Sequence, residues 1–587
     1  MTIDLGIHRL RAAYTAGTLT CRAVIDEVLR RIAAAGEDKV WISRPSDAAL
    51  RQAAEALDAR RDEIAELPLY GVPFAVKDNI DVAGMTTTAA CPGFAYLPEA
   101  SAWSVRWLIE AGAIVVGKTN LDQFATGLVG VRSPYGVPRN PFDEDFIPGG
   151  SSSGSAVAVS SGLVSFSLGT DTAGSGRVPA GFNNIVGLKP TPGMVSTEGV
   201  VPACRSLDCV SVFALSCADA ALVLKSLAEP KQSPAIGSSF RFGVPRSLEF
   251  FGDTEYARLY AEAVTKLEWM GGEPVVFDYT VFNKAAELLY NGPWVAERTA
   301  AVGAFISAAN REAGVWPVTR DIILAGREYS AVDTFEGQYE LQALRQHAER
   351  QMANLDFLVV PTAGTIYRVS DLRREPVLYN SHLGYYTNFV NFFRLSALAL
   401  PAGFRRDGLP FGITLVGPTD GDEALLAFGA QWQRAMPLPL GKTNSTLPPV
   451  EADPRQTGDH VSLAVVGAHM SGFPLNPDLR ALGGRLKSAG KTAPYYRLYA
   501  LPGGPPERPG LVRVAEDGAA IELEVWTLPA EGFARFVSQI PAPLGIGTIA
   551  LADGSTVQGF LCEAYATADA QDITPFGGWR GYIKRLG

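Results

Sequence analysis

The chain has 587 residues, 47% of them hydrophobic, and 51 lysines and arginines against 61 aspartates and glutamates give a formal charge of −10. That length exceeds what one core organises, so at least two domains are expected, and an acidic balance with no block of basic residues excludes general affinity for nucleic acid. No uninterrupted apolar stretch reaches the length of a membrane span and the first residues lack a basic-then-apolar leader pattern, so the expectation is a cytoplasmic protein whose partners are small molecules or proteins.

Residues 19–36 carry apolar positions at helical spacing behind a threonine able to cap, which predicts an amphipathic helix. Short β-prone runs follow at 113–116, 240–244, 273–277, 357–361 and 412–417, alternating with helical stretches. The alternation predicts a layered α/β domain to about residue 445. Residues 441–459 are polar, hold three prolines and show no period, as a linker does. The expected division is 1–445, a linker at 446–458, and a second domain at 459–587, within the usual domain size. Six scattered cysteines without a C-x-x-C pair read as reduced thiols rather than a disulfide framework or zinc site. Five histidines, none at ligand spacing from another His or a Cys, give a metallohydrolase little to build from, so no metal is expected.

Two motifs mislead. Gly112 to Thr119 fits the P-loop pattern letter for letter, yet its interior is β-branched and a helical segment precedes it, so it reads as a strand and not as a phosphate cradle. Gly150-Ser-Ser-Ser-Gly154 fits G-x-S-x-G, but Asn-Pro-Phe-Asp-Glu-Asp-Phe-Ile-Pro before it is no strand, which argues against a nucleophile elbow. What remains is a set of small-residue blocks: Gly149-Gly-Ser-Ser-Ser-Gly154, then Gly169-Thr-Asp-Thr-Ala-Gly-Ser-Gly-Arg177, with Lys77 upstream in Gly-Val-Pro-Phe-Ala-Val-Lys-Asp-Asn-Ile. Two serines, a lysine in an apolar run and a loop rich in backbone N–H donors suffice for amide hydrolysis through an acyl-enzyme. The lysine can act as a base only when neutral. Lowering its pKa from about 10.4 towards 7 takes roughly 4 to 5 kcal/mol of preference for the uncharged amine, which burial supplies. Asp78 would oppose this unless it points to the other face, as neighbours in an extended segment do.

These blocks resemble the amidase signature hydrolases, over about residues 5–440. The resemblance implies an amidase signature fold, a central mixed β-sheet flanked by helices in an α/β architecture. It also implies a Ser–cis-Ser–Lys triad: Ser175 as nucleophile, Ser151 as the bridging serine on a cis peptide, Lys77 as base. The amides of Thr172, Ala173 and Gly174 would form the oxyanion hole, with Asp171, Arg177 and residues 187–191 as scaffold. Residues 286–306 and 386–393 are similar to the allophanate hydrolase subfamily, which implies that Tyr290 and Arg298 bind a substrate carboxylate. On chemistry alone, the favoured reading is an ion pair of Arg298 with Glu297 or another acid on a helix face, with Tyr290 in the core, since exposed helical ion pairs are common.

The second domain, through Leu463-Ala-Val-Val-Gly-Ala-His-Met-Ser-Gly and Glu522-Leu-Glu-Val-Trp-Thr-Leu-Pro, resembles the γ-glutamylcyclotransferase fold and the C-terminal extension of long allophanate hydrolases. It is expected to be a small α+β unit. Where active cyclotransferases carry an acid this chain reads Ser538, and His469, after a strand-like run at a Gly-flanked turn, is the candidate acid or base near neutral pH. The resemblance thus implies hydrolysis of allophanate to ammonia and carbon dioxide without a cofactor, in a homodimer associated with urea carboxylase or cyanuric-acid-pathway enzymes. The alternatives are another small amide as substrate, or a C-terminal half serving mainly for assembly.

Overall fold

The computed structural model describes residues 3–229, 231, 233–447, 460–503 and 508–586. The chain divides into two compact units, Met1–Pro448 and Pro449–Gly587. From 448 on, the expected linker lies outside the described residues.

The first unit is built on one eleven-stranded sheet. Its strands are β1 (Trp41–Ser43), β2 (Pro73–Lys77), β3 (Ile114–Thr119), β4 (Phe166–Asp171), β5 (Val186–Lys189), β6 (Cys209–Ala214), β7 (Phe240–Pro245), β8 (Gly272–Phe277), β9 (Phe357–Pro361), β10 (Ser396–Phe404) and β11 (Pro410–Gly417). They lie in the order β1-β3-β2-β4-β6-β5-β10-β11-β9-β7-β8. Pairing is parallel in β3-β2-β4 and in β9-β7-β8 and antiparallel elsewhere, so the sheet is mixed. Strands β2, β4, β5, β6, β9 and β11 are buried along their whole length, as strands covered on both faces must be. All five β-prone runs in the sequence fall on strands, and the 19–36 helix is Cys21–Ala35, capped by Thr20 Oγ1 accepting from the Ala23 amide at 3.1 Å. Its stripe Val24, Ile25, Val28, Leu29 and Ile32 is buried.

The P-loop look-alike is β3, entered from the helix Trp103–Glu110, with Lys118 fully buried. The serine block does not form a strand-turn-helix elbow either: residues before it are irregular and the helix Ser153–Ser160 begins within it. That helix is buried on every face. Small side chains allow it, since a Cβ on Gly154 would come within 2.6 Å of the Val40 carbonyl.

The second unit is α+β. A five-stranded sheet runs Arg485–Lys491, Glu522–Pro529, His460–Val465, Thr556–Cys562, Leu544–Ala550, and a three-stranded sheet joins Arg508–Arg513, Tyr496–Leu501 and Gln571–Asp572. Helices Asn476–Ala481, Ala530–Ser538 and Trp579–Leu586 complete it. All six cysteines of the chain are unpaired and buried.

Candidate active site

Parallel pairing of β2 with β4 sets Val76 opposite Leu168 and brings the C-terminal ends of the two strands together. Lys77 ends β2, and its amine donates to Thr170 Oγ1 on β4 and to Ser151 Oγ, both at 2.7 Å. Lys77 and Ser151 are fully buried, and the Gly150–Ser151 peptide is cis. Burial pulls the lysine pKa down to about 7, against the upward pull of Asp122, Asp171 and Asp208. Desolvation wins because none of the three carboxylates contacts the amine: each is committed elsewhere.

Asp122 accepts from the Val129, Gly130 and Arg132 amides at 2.9–3.0 Å. Asp208 accepts from Thr172 Oγ1 at 2.5 Å and from the Ala203 and Cys204 amides. Asp171 forms a buried pair with Arg177 and accepts from the Gly174 and Gly176 amides at 2.8 and 3.0 Å. Asp78, next in sequence to Lys77, turns away from it. Its carboxylate takes the Thr88 amide and hydroxyl and pairs with Lys118 at 3.3 Å, while Lys118 also donates to Thr87 Oγ1 at 2.9 Å. The false P-loop lysine therefore keeps the adjacent acid off Lys77.

Ser175 lies in the loop Thr172–Arg177 between β4 and the helix Val178–Phe182, and is 2% exposed. Among the described residues the hydrogen bonds run from Lys77 to Ser151 and stop there. The loop also corrects the expected set of oxyanion donors. The Gly174 amide is not available, because Asp171 Oδ1 accepts it at 2.8 Å, whereas the amides of Thr172, Ala173 and Ser175 have no protein acceptor among the described residues. A carboxylate at the loop's base takes the nearest amides it can reach, and which ones these are depends on the turn. Gly174 is required for another reason: its φ is +143° and a Cβ would meet Thr387 Oγ1 at 2.3 Å.

Arg177 reaches Thr387 O and Asn391 Oδ1, both at 3.1 Å, and Asn391 Nδ2 donates to the Asp171 and Leu207 carbonyls. The 386–393 segment thus braces the loop Thr172–Arg177. Asn391, Thr170, Asp122, Asp208 and Thr126 were not singled out from the sequence. Short polar residues in loops, at a strand end or in a one-turn helix carry no periodic signal, and their partners lie up to 220 residues away.

Arg298, on the helix Trp294–Ala308, is 1% exposed. Among the described residues no carboxylate lies at ion-pair distance from it; Glu297 instead accepts from the Ser206 amide and hydroxyl at 2.7 Å. Arg298 Nη1 donates to Thr126 Oγ1 at 3.1 Å and Nη2 to Tyr290 OH at 3.4 Å, while Nε is buried without an acceptor. A guanidinium so buried and unpaired is costly unless an anion answers it.

In the second unit, His469 lines a cavity of about 220 Å³ together with Asp478, Arg508 and Gln539. Its ring lies parallel to Phe560 at 5.5 Å and edge-on to Phe536 at 4.9 Å. Burial there pulls its pKa down to about 4, which favours the neutral imidazole, a form able to accept a proton.

A large mixed sheet carrying these serine blocks defines a class, and the chain falls within it: the Amidase family model matches residues 23–426, and the chain belongs to that family of hydrolases. A second model, the allophanate hydrolase C-terminal domain, matches residues 461–584. The urea amidolyase of Saccharomyces cerevisiae is 43% identical over 579 residues, 94% of this chain and 31% of that protein. That of Lachancea kluyveri is 43% identical over 589 residues, 95% of this chain and 32% of that protein. The chain therefore spans about a third of the length of these relatives. The structure of Kluyveromyces lactis allophanate hydrolase is similar over 100% of both chains, at 40% identity and a TM-score of 0.74. Among the described residues no helix is long and apolar enough to cross a membrane.

Proposed function

We propose that the protein hydrolyses allophanate. The neutral Lys77 amine takes the Ser151 proton as Ser151 takes that of Ser175, and Ser175 Oγ adds to the terminal amide carbonyl. The oxyanion is met by the amides of Thr172, Ala173 and Ser175. The relay returns the proton to the leaving nitrogen, ammonia departs, and water releases the carboxylated product from Ser175. Loss of carbon dioxide then yields carbamate, which breaks down to a second ammonia and carbon dioxide. One water is consumed, no cofactor is required, and two ammonia and two carbon dioxide leave in all.

Arg298 carries the assignment to a carboxylated amide rather than a neutral one. Buried, without an acid and beside the Tyr290 hydroxyl, it offers a planar fork that matches a carboxylate in two parallel bonds. The test compares ammonia release from allophanate and from a neutral small amide in Arg298→Ala. Allophanate kcat/KM is expected to fall by a few kcal/mol, roughly a hundredfold, with the neutral amide spared. Equal losses on both substrates refute the reading.

The same reading places a catalytic domain at 1–445 and a γ-glutamylcyclotransferase-like domain at 459–587, in a cytoplasmic homodimer. It assigns His469 to processing of the carboxylated product, and makes urea carboxylase or a cyanuric-acid-pathway enzyme the associated protein. The likeness to urea amidolyases, whose length exceeds this chain about threefold, supports a partner of the first kind.

A further inference from the structure

We propose that Thr126, held in place by Arg132, is the positioning residue that turns the Nε–Nη2 edge of Arg298 towards the substrate carboxylate. The proposal rests on the reading of Arg298 given above.

A guanidinium presents five N–H groups in one plane, and a carboxylate pairs with two that are parallel, either Nη1 with Nη2 or Nε with Nη2. In this structure the choice is made by the protein. Among the described residues, Nη1 is committed to Thr126 Oγ1 at 3.1 Å, Nη2 has only the long 3.4 Å contact to Tyr290 OH, and Nε is buried with no acceptor. The side edge is therefore the one left for an anion. Unfilled, it carries an unpaired buried N–H on a charged group.

Thr126 is itself fixed from three directions. Its amide donates to the Gln123 carbonyl at 3.1 Å, its hydroxyl donates to the Phe124 carbonyl at 3.2 Å, and its carbonyl accepts from Arg132 Nη1 at 2.9 Å. Arg132, 2% exposed, spends its other terminal nitrogen on the Pro376 carbonyl at 2.6 Å. Both forks of Arg132 are thus turned to backbone, and Asp122 meets this residue through its amide, at 2.9 Å. Arg132 braces and Arg298 reads.

The loop that carries Thr126 also touches the catalytic end. The Asp122 amide donates to the Ser151 carbonyl at 3.0 Å and the Gly150 amide to the Leu128 carbonyl at 2.8 Å. One short segment, 122–132, therefore sets the separation between the group that holds the carboxylate and the serine relay. Misplacement by about 1 Å at such a site costs on the order of a hundredfold in rate.

The test uses the full chain with Thr126→Val, which keeps the branched shape and removes the acceptor, and Thr126→Ser, which restores it. KM and kcat are measured for allophanate and for a neutral small amide, with malonate as a competitive probe of the carboxylate site. Thr126→Val is expected to raise the allophanate KM and the malonate inhibition constant about tenfold, the net worth of one hydrogen bond to a charged group, with the neutral amide within about twofold. Thr126→Ser should return both to near wild type. Unchanged KM, or equal losses on both substrates, overturns the positioning role. Arg298→Ala separates the two readings: if it affects both substrates alike the carboxylate assignment fails, and if it is selective while Thr126→Val is not, only the role of Thr126 fails. Should Thr126→Val fold poorly, Arg132→Lys, which keeps the charge and loses the two-pronged hold, must give the same selective KM rise; a loss equal on both substrates overturns the proposal.

Discussion

Replacing Lys77 by methionine tests the electrostatics of the centre through stability as well as activity. Lys77 is fully buried and its pKa falls from 10.5 to about 7. At about 1.4 kcal/mol per decade, holding the amine neutral costs about 5 kcal/mol at pH 7. Between these two pH values the unfolded chain binds a proton at this lysine that the folded protein does not, so wild-type stability rises with pH by up to about 1.4 kcal/mol per pH unit. The full contribution is present above 10.5 and is lost as pH falls to about 7. Methionine removes this dependence. It also strips a donor from Ser151 Oγ, at about 1–3 kcal/mol for the hydroxyl left unsatisfied, while Thr170 Oγ1 keeps the donor Asn79 Nδ2 at 3.3 Å. Near pH 7 Lys77→Met is therefore expected to be as stable as wild type or a few kcal/mol more so, while releasing no ammonia. Urea unfolding of both proteins from pH 7 to pH 10 measures the difference, in which other titrating groups cancel. A difference that stays flat over this range refutes the lowered pKa. Wild-type kcat/KM should fall on acidification through about 7, and a flat profile there refutes neutral Lys77 as base.

Ser175→Ala should abolish ammonia release with the urea midpoint unchanged, since the side chain supports none of the loop's hydrogen bonds; residual turnover near wild type removes it as nucleophile. Arg177→Met leaves the Asp171 carboxylate buried without its partner and is expected to cost about 3–5 kcal/mol of stability, measured by urea unfolding, whereas Asp171→Asn with Arg177→Met should recover much of it. His469→Ala should leave the first ammonia untouched and slow carbon dioxide release, followed by time-resolved measurement of both products; identical time courses make this histidine a bystander.

How much was legible follows from what periodicity and local chemistry encode. The helix Cys21–Ala35 was readable because a cap and an apolar stripe act within a few residues, and Ile114–Thr119 because β-branched residues cannot form a phosphate cradle. That Lys77 and the Ser151 block belong to one site was readable from the sequence, but the hydrogen bonding of the amides around Ser175 was not. Whether Asp171 takes the Gly174 amide or another depends on a turn fixed by Thr387 and Asn391, more than 200 residues on. The helix Ser153–Ser160 runs against its own composition, glycine and serine being poor helix formers, because burial on all sides leaves the backbone no other acceptors. His469 was read at an ordinary pKa because a sequence does not reveal that Phe536 and Phe560 enclose the ring.

The distribution of acids explains how Lys77, the proposed base, stays neutral with four buried aspartates around it. Asp78, Asp122, Asp171 and Asp208 are all buried in the structure, and any of them, bonded to Lys77, would hold it as an ammonium and silence it. Two are answered by cations, Asp78 by Lys118 and Asp171 by Arg177. The other two are answered by backbone amides alone, or by amides and the Thr172 hydroxyl. Each acid at the same time shapes a loop that bears a functional group: Asp122 the segment that reaches both Ser151 and Arg298, Asp171 and Asp208 the one that carries Ser175. The carboxylates thus supply the loop geometry while their charge is answered locally, and among the described residues the hydrogen bonds left to Lys77 go to two hydroxyls, which can accept from a neutral amine and carry no charge that would hold it as an ammonium. Neutrality of Lys77 is therefore a property of the whole buried network, and it depends most directly on Lys118, whose removal would take the cation from the carboxylate adjacent to Lys77 in the chain.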